Sequence, residues 1–309
     1  ENLKWCSNDF LKLRFLNSFK KIRLFLEMIR FNNLASNVET NSSVENWLRK
    51  NNFSDFFIAN YILPMSSSIW SSSQESIKRF PMKSLSSFFK NHGLLDLIIR
   101  PQWFTVRGGS DSYVEKIINV SNINNVITDA ELLIEREGNK ISLQNKGLKS
   151  QYDLLIFACH ANQIQEILTD ISPKEAEILS MFEYTSNNVF LHDDKNLMPK
   201  EKSLWSSWNS FKSKNYDYVT YWMNNLQKLD TEKEIFVTLG NCPEINQEKV
   251  FKKICYEHPL YSVNTLKGQK YITSIQGENN TYFVGAHLGY GFHEDGIKST
   301  YEVLNSINE

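Results

Sequence analysis

Glycine is scarce in this sequence, and it is unevenly placed. Only 12 of the 309 residues are glycine, and none precedes Gly93. A strand-turn-helix unit of the form Gly-x-Gly-x-x-Gly, which cradles a dinucleotide phosphate, is therefore absent from the chain. The glycines gather instead near the carboxyl terminus, at Gly285, Gly289, Gly291 and Gly296.

Cysteine and histidine are too few and too scattered to predict a metal site. The four cysteines are Cys6, Cys159, Cys242 and Cys255, and no Cys-x-x-Cys pair occurs. The six histidines show no metal-ligand spacing, so we expect neither a metal centre nor a disulfide framework. Free thiols indicate a reducing cytoplasm. Cys159 follows an apolar run and is interpreted as a small packed hydrophobic residue.

Neither sign of charge is in excess, and no long apolar run occurs. The chain has 34 basic and 35 acidic side chains, whereas nucleic-acid-binding proteins usually carry a clear basic excess. No segment approaches the roughly 18 consecutive apolar residues of a membrane span, and the opening residues are too polar for a signal peptide. We therefore predict a cytoplasmic protein that does not bind nucleic acid, organised as one interwoven unit or two domains.

The first third of the chain is predicted to be helical. From Asp9 to Ala35, apolar residues such as Phe19, Ile22 and Leu26 recur at three- and four-residue steps. Lysine and arginine with little acid occupy the opposite face. Two interpretations stay open: a basic amphipathic helix that lies on an anionic membrane surface, or a helix that faces the core and keeps its basic side in solvent.

Further helices are predicted at residues 42–48, 53–62 and 84–89. Ser42 or Ser43 supplies the N-cap of the first, and Pro64 and Pro81 are expected to break the helical pattern.

From residue 103 onward, short strands and turns are predicted. We expect strands at residues 125–128, 131–135 and 140–144, with a hairpin turn at Gly138-Asn139. Before them, Arg107-Gly108-Gly109 either sets a positive side chain beside a ligand phosphate or only turns the chain.

The run from Tyr152 to Ala158 is continuously apolar after its first two residues, as expected for a parallel strand buried on both faces. Ligands of open α/β sheets bind beyond the carboxyl ends of such strands. This places Ala158, Cys159 and His160 at a ligand crevice. His160 has a second interpretation, as the cap of the helix that follows.

Residues 172–276 are predicted to form a helix, an antiparallel sheet and a second helix. The helices are expected at residues 173–182 and 248–256, and the strands at 188–192, 204–208, 219–223 and 235–239. Four aromatic residues on neighbouring strands would make a wall, which is either plain core or the lining of a cavity: Trp205, Trp208, Tyr221 and Trp222.

The carboxyl-terminal segment is the most informative part of the sequence. Tyr282 to Val284 predicts a short buried strand, a glycine-rich loop follows, and a helix is expected after Gly296. Strand, loop and helix in this order aim unpaired backbone N–H groups and a positive helix end at an anionic or electron-rich ligand. Glycine also allows the backbone to approach a ligand closely. The alternative is a turn that only precedes a terminal helix.

Gly285 to Gly296 (GAHLGYGFHEDG) resembles the carboxyl-terminal FAD-contacting segment of the flavin-containing amine-oxidase superfamily. The match is closer to its bacterial branch of predicted NAD/FAD-binding proteins. Further stretches resemble that branch in the same order: Trp103–Ser110 (WFTVRGGS), Tyr152–Asn162 (YDLLIFACHAN), Trp205–Asn209 (WSSWN), Thr220–Gln227 (TYWMNNLQ) and Tyr256–Pro259 (YEHP). Together they cover the chain from about Trp103 to its end.

The resemblance implies an α+β fold. An incomplete FAD/NAD(P)-binding Rossmann-like domain would be interleaved with a substrate domain of helices and antiparallel sheet. The expected segments are 1–102 (helical part of the substrate domain), 103–170 (FAD domain), 171–278 (substrate domain with sheet) and 279–309 (FAD-binding segment). Such flavoproteins open with a βαβ unit that is missing here, so we interpret the chain as a fragment that binds FAD weakly by itself. The alternative is a family member that has lost its cofactor fingerprint.

The resemblance also implies site residues, with FAD as the cofactor. Carried over onto this sequence, the cofactor-binding positions are Arg107, Gly108, Gly109, Ala130, Ala158, His160, Gly285, Ala286, His293, Glu294, Asp295 and Gly296. Ala130 would meet the adenine through its backbone, although relatives usually carry valine there. His293, Trp222 and Tyr221 are the catalytic candidates, because an imidazole can move a proton near neutral pH and aromatic rings suit an apolar substrate. Glu294 and Asp295, in the first turn of the last helix, can equally serve as caps.

Two departures from the family pattern weaken the case for an amine substrate. Gly285-Ala286 stands where many amine oxidases carry an acidic residue after the glycine, and their lysine near the flavin is not found. The predicted function is therefore FAD-dependent oxidation of a C–N or C–C bond in a largely apolar small molecule or lipid. The alternatives are a lipid-directed flavin desaturase or isomerase, and a non-catalytic remnant that binds a membrane or partner through residues 9–35.

Overall fold

The computed structural model describes residues 5–6, 18–40, 42–96, 104–121, 123 and 125–308. Residues 9–17 of the first predicted helix, and Trp103 of the resembling segment, lie outside this set. The chain divides into two compact units, each built from two stretches. Unit 1 comprises residues 1–121 and 186–258, and unit 2 comprises residues 122–185 and 259–309.

The amino-terminal part of unit 1 is helical, as predicted. Its helices are α1 (Ser18–Ala35), α2 (Val44–Lys50), α3 (Asp55–Phe57), α4 (Leu63–Trp70), α5 (Gln74–Arg79), α6 (Met82–Asn91) and α7 (Asp111–Val120). Serine caps begin three of them: the hydroxyls of Ser43, Ser54 and Ser73 accept hydrogen bonds from N–H groups in the first turn. Phe31 is fully buried and packs against the rings of Trp47, Phe53, Phe57 and Phe89.

The expectation that Pro64 breaks the helix is wrong. Helices α3 and α4 are joined by a π-helical turn at Ile58–Ile62, so the helical path runs through the proline. The backbone N–H of Leu63 bonds to the carbonyl of Ile58, five residues earlier. Pro64 follows directly after this π-helical turn, in the first turn of α4.

Unit 1 also contains most of a six-stranded sheet with the order β1-β7-β8-β9-β6-β10. Its strands are β1 (Trp5–Cys6), β6 (Glu183–His192), β7 (Trp208–Lys212), β8 (Asp217–Trp222), β9 (Phe236–Asn241) and β10 (Val250–Leu260), and the short helix α10 (Met223–Gln227) follows β8. The pairs β7–β8, β8–β9 and β6–β9 are antiparallel, which confirms the predicted sheet type.

Two predictions in this region are wrong. Residues 248–256 form a 3₁₀ turn and then strand β10 instead of a helix, because they pair with β6 at the edge of the sheet. Residues 204–208 end a 3₁₀ turn and reach a strand only at Trp208. For residues 248–256, a pairing partner distant in the sequence decided the structure.

Unit 2 begins with a three-stranded antiparallel sheet of β2 (Leu132–Glu137), β3 (Lys140–Asn145) and β4 (Leu148–Tyr152). The turn at Gly138-Asn139 joins β2 and β3, as predicted. Residues 125–128 form no strand, which corrects that expectation. The remaining elements are β5 (Leu155–Phe157), α8 (Ala161–Ile167), α9 (Pro173–Ser180), α11 (Val263–Tyr271), β11 (Thr281–Phe283) and α12 (His293–Asn308).

The core of unit 2 joins these elements around Phe157, Phe182 and Phe283. A buried ion-pair network lies at one side of it. Arg136 on β2 donates to Asp170 and, through both terminal nitrogens, to the carboxylate of Glu175 on α9. The side chains of Arg136 and Glu175 are 2% and 1% exposed, so each charge depends on the other.

Candidate functional site

Strands β5 and β11 pair in parallel, with Leu155 opposite Thr281 and Phe157 opposite Phe283. Their carboxyl ends therefore meet, and the N–H of Val284 continues the ladder to the carbonyl of Phe157 at 2.8 Å. This confirms the prediction that the apolar strand ending at Ala158 and the glycine-rich segment converge. The expectation of one long strand buried on both faces is wrong, because β5 has three residues and Ile156 is 38% exposed.

Two histidines stand at the joined strand ends. His160 follows β5 and stacks on the ring of Tyr184, with centroids 4.6 Å apart. His287 follows β11, is 6% exposed, and meets Phe182 edge to face. Burial, with a smaller contribution from nearby His160, lowers the pKa of His287 to about 4. Its imidazole is therefore neutral at physiological pH.

Each of these imidazoles has a buried nitrogen without a hydrogen-bond partner among the described residues. The atoms are Nδ1 of His160 and Nε2 of His287. Buried polar atoms in folded proteins are nearly always paired, so an unpaired one indicates a ligand or solvent contact. His160 occupies the N-cap position of α8, and its backbone N–H donates to Gln163 Oε1. Its free ring nitrogen remains available to a ligand.

Residues 285–292, the glycine loop, are held by side chains from two helices, α11 and α12. Gln269 donates to the carbonyls of His287 and Gly289 at 3.0 and 2.7 Å. The hydroxyl of Ser299 accepts from the N–H of Gly285. Asp295 accepts a hydrogen bond from the N–H of Phe292 at 3.0 Å, which confirms its interpretation as a cap. The loop is thus fixed by the protein itself.

Two of the loop glycines have a structural reason, and their contact with a cofactor stays a prediction. At Gly285, which has φ +151°, a Cβ atom would lie 2.7 Å from the ring of His287. At Gly289, a Cβ would lie 2.3 Å from Oδ1 of Asp295. Both positions are glycine because a neighbouring protein side chain fills the space. Most loop N–H groups are also bonded internally, including those of Leu288, Gly289 and Gly291, so the loop is not a cradle of free donors.

Replacing Gly289 with alanine is expected to lower the free energy of unfolding by about 2 kcal/mol. The new methyl group displaces Asp295 and removes its cap, a loss of typically ~1 kcal/mol, with crowding in addition. Gly296→Ala is the matched control, since its Cβ would have an ordinary contact of 3.6 Å inside α12. That change should stabilise the protein by about 0.5–1 kcal/mol. Urea unfolding followed by circular dichroism measures both; equal effects would contradict this account of Gly289.

The remaining residues predicted at the carboxyl-terminal segment lie at the start of α12. This helix begins at His293, four residues earlier than expected, so Gly296 lies within its first turn. His293 and Glu294 are exposed. Ala158 is exposed at the end of β5, and Ala130 is exposed in the segment before β2. Contacts of these residues with a cofactor stay predictions.

The other predicted site residues belong to unit 1. Arg107, Gly108 and Gly109 form the turn before α7, and both glycines have φ +85°. The Tyr221 hydroxyl donates to the carbonyl of Ser68 and contacts Ser71 Oγ at 2.9 Å, and burial raises the pKa of Tyr221 to about 12. The indole N–H of Trp222 donates to Glu234. The polar atoms of both side chains are thus bonded to the protein, so any contact of Tyr221 or Trp222 with a substrate would be through the rings.

Part of the predicted aromatic wall is core. Trp205 and Trp222 meet edge to face, and Trp205 also packs against the fully buried Phe236.

His287, Gln269 and Tyr261 were missed by the sequence analysis. The signal for His287 was present, since it is the third residue of the glycine loop that follows β11. The side chains that hold the loop come from helix α11 and from the segment just before it, which no local pattern links to the loop.

No protein-family model and no curated protein matches the sequence. Solved structures do match its fold. A protein provisionally assigned as a protoporphyrinogen oxidase, from Exiguobacterium sp. 255-15, has a TM-score of 0.60 at 14% identity, covering 95% of this chain and 73% of the other. Putrescine oxidase bound to putrescine gives 0.61 at 11%, covering 95% and 77%. A fatty acid isomerase from P. acnes that produces CLA gives 0.59 at 14%, covering 94% and 75%.

These similarities define the fold class of the chain. It has the mixed helix-and-sheet fold that these three proteins share, in agreement with the α+β fold expected from the sequence. One of the three similar proteins is an isomerase, so the shared fold does not by itself select the reaction. The Rossmann-like description rests here on the parallel pair β5–β11 and stays a prediction, as does the bacterial branch.

Proposed function

We propose that this chain is part of an FAD-dependent, amine-oxidase-like oxidoreductase that oxidises a C–N or C–C bond of a largely apolar substrate. The observation that carries the proposal is the convergence of β5 and β11 at two buried imidazole nitrogens without partners. Ligands of α/β proteins bind at such strand ends. The similarity to oxidases over nearly the whole chain supports the same assignment.

The residues at this position fit a polar but uncharged part of the cofactor. His287 is neutral because its pKa is lowered to about 4, so it donates or accepts a hydrogen bond without attracting an anion by charge. Together with His160 and the backbone of Ala158 and Ala286, it would hold neutral oxygen or nitrogen atoms of FAD. The internally bonded glycine loop does not fit a phosphate. We therefore assign the binding of the FAD phosphates to residues outside this loop.

Bound FAD would supply the oxidising power, by accepting two electrons from the substrate. The tasks of this chain are to hold the cofactor and to move protons. We assign the exposed imidazole of His293 to accept a proton from the substrate. Asp295 caps the first turn of α12, the helix that begins at His293. Tyr221 and Trp222 are assigned to the apolar part of the substrate through their rings, because their polar atoms are bonded to the protein.

Flavin retention tests the proposal. Protein purified from the complete gene should carry FAD, identified after denaturation by its absorbance and chromatography. His160→Ala and His287→Ala should each weaken FAD binding about tenfold, since one hydrogen bond contributes about 1–1.5 kcal/mol. His258→Ala in unit 1 is the control and should retain FAD. His287→Gln, which keeps a polar side chain, guards against a variant that fails to fold.

Complete absence of flavin from the wild-type protein would refute the cofactor assignment. FAD binding that is unchanged in both histidine variants would instead show that the FAD site does not lie at the ends of β5 and β11. Titration of residues 1–309 alone should show weak binding, as expected for a chain without a Gly-x-Gly-x-x-Gly unit.

A further inference from the structure

Helix α1 has two apolar faces, and only one of them is buried. Leu24, Met28, Phe31 and Ala35 are 0–2% exposed and pack into the core of unit 1. On the other side, Phe19, Ile22 and Leu26 are 85%, 58% and 59% exposed. Successive residues of a helix are about 100° apart, so these three side chains form one outward stripe opposite the core.

Basic residues lie along one edge of this outer stripe. Helix α1 contains Lys20, Lys21, Arg23 and Arg30, and its one acidic residue is Glu27. Glu27 is turned toward α3, where its carboxylate accepts from both the N–H and the hydroxyl of Ser54. Arg23 approaches it only at 4.0 Å. The acid thus stabilises the start of α3. Arg23 and Arg30 are the basic residues nearest the stripe, whereas Lys20 and Lys21 lie about 130° from it around the helix. Arg30 also donates to the carbonyls of Asn51 and Asn52.

We propose that the outer stripe of α1 is a peripheral binding site for an anionic phospholipid membrane. A helix that presents large apolar side chains flanked by lysine and arginine buries its apolar face at the headgroup boundary. Each nearby basic residue adds attraction to anionic lipids. No helix in the described ranges has the length and apolarity needed to cross a bilayer, so the contact is interfacial. This site is independent of the proposed flavin chemistry.

The stripe fits a lipid surface better than a peptide groove. Its members are aromatic and long aliphatic side chains over two helical turns, and Phe19 at one end is almost fully exposed. The core face already anchors α1 to the protein through Phe31 and its aromatic neighbours. The helix can therefore bind a membrane without leaving unit 1, and no unfolding is required.

Co-sedimentation of the full chain with vesicles tests the proposal. Vesicles of phosphatidylcholine and phosphatidylserine should bind the protein at least tenfold more tightly than vesicles of phosphatidylcholine alone, with binding reduced by salt. Ile22→Ser combined with Leu26→Ser should weaken binding at least tenfold. The matched control is Leu34→Ser, an exposed leucine of the same helix (41% exposed) off the stripe.

Charge reversal gives a second, independent measurement. Arg23→Glu should sharply reduce the preference for anionic vesicles, whereas Lys149→Glu, at an exposed site elsewhere, should preserve it. Absence of vesicle binding by the wild-type chain would overturn the proposal. So would a dimer in analytical ultracentrifugation that Ile22→Ser with Leu26→Ser dissociates, because a second copy would then cover the stripe. Neither result bears on the flavin-retention experiment, so the membrane proposal and the proposed function can fail independently.

Discussion

Glu175→Gln is expected to lower the free energy of unfolding by about 3–5 kcal/mol, the cost of removing one partner from a buried ion pair. Arg136 donates to both oxygens of Glu175, at 2.5 and 2.9 Å, and both side chains are almost inaccessible to water. Burial, the largest single influence, would raise the pKa of Glu175. The hydrogen bonds from Arg136 and Ser172, together with the positive charge of Arg136, outweigh it and the pKa is lowered. The carboxylate is therefore ionised and compensates the guanidinium.

The control for this prediction is an exposed ion pair of the same unit. Lys140 and Asp153 form a salt bridge with side chains 56% and 84% exposed, so Asp153→Asn should change stability by less than about 1 kcal/mol. The double change Arg136→Met with Glu175→Leu should recover much of the loss, because it removes both charges together. A double variant as unstable as Glu175→Gln would show that charge compensation is not the cause.

The second large effect is a loss of stability in mild acid that is caused by His192. This residue is 0% exposed in the sheet of unit 1. Its Nδ1 accepts from the N–H of Asp194 at 3.0 Å, and its Nε2 donates to Thr238 Oγ1 at 2.8 Å. Burial lowers the pKa of His192 to about 4, although the carboxylates of Asp194 and Asp193 oppose the shift. The folded protein therefore holds a neutral imidazole.

The direction of the pH effect follows from proton binding. Between pH 6.5 and about 4 the unfolded chain protonates this histidine and the folded protein does not, so stability falls as the pH falls. A shift from 6.5 to about 4 corresponds to about 3 kcal/mol. The full contribution of the neutral imidazole is present above pH 6.5. His287, with a similarly lowered pKa, should destabilise unit 2 in the same range.

Tryptophan fluorescence separates the two histidines. All seven tryptophans fall in the residue ranges of unit 1, so their emission reports unfolding there. Urea midpoints at pH 7 and pH 4.5 should differ strongly in the wild type. His192→Asn keeps an acceptor for the Asp194 N–H but does not titrate, so its midpoint should depend less on pH. His287→Asn should leave the fluorescence difference intact; the reverse pattern would contradict the assignment.

Local patterns predicted most of the helices and the meeting of β5 with the carboxyl-terminal segment. The latter succeeded because a buried apolar run and a strand-loop-helix segment each have a recognisable sequence form. Residues 248–256 failed because Val250 and Ile254 have helical spacing, whereas the pairing with β6 that makes them a strand is not encoded locally.

The candidate site shows the same limit at the level of single side chains. Sequence placed His160 and Gly285 at the strand ends, but it assigned the glycines to a ligand. Only the folded chain shows that Asp295 and His287 occupy the space beside them. Contacts made by Gln269 and Tyr261 across the loop depend on where α11 lies, and no local pattern specifies that position.

The division of each unit into two separated stretches has a consequence for synthesis on the ribosome. Unit 1 is incomplete until residues 186–258 have been synthesised, and β5 in unit 2 has no pairing partner until β11 has been synthesised. Nascent chains that stop at residue 185 therefore contain no complete unit. We expect such chains to depend on chaperones or be degraded, and folding to become self-sustaining only after His258 for the first unit and after α12 for the second.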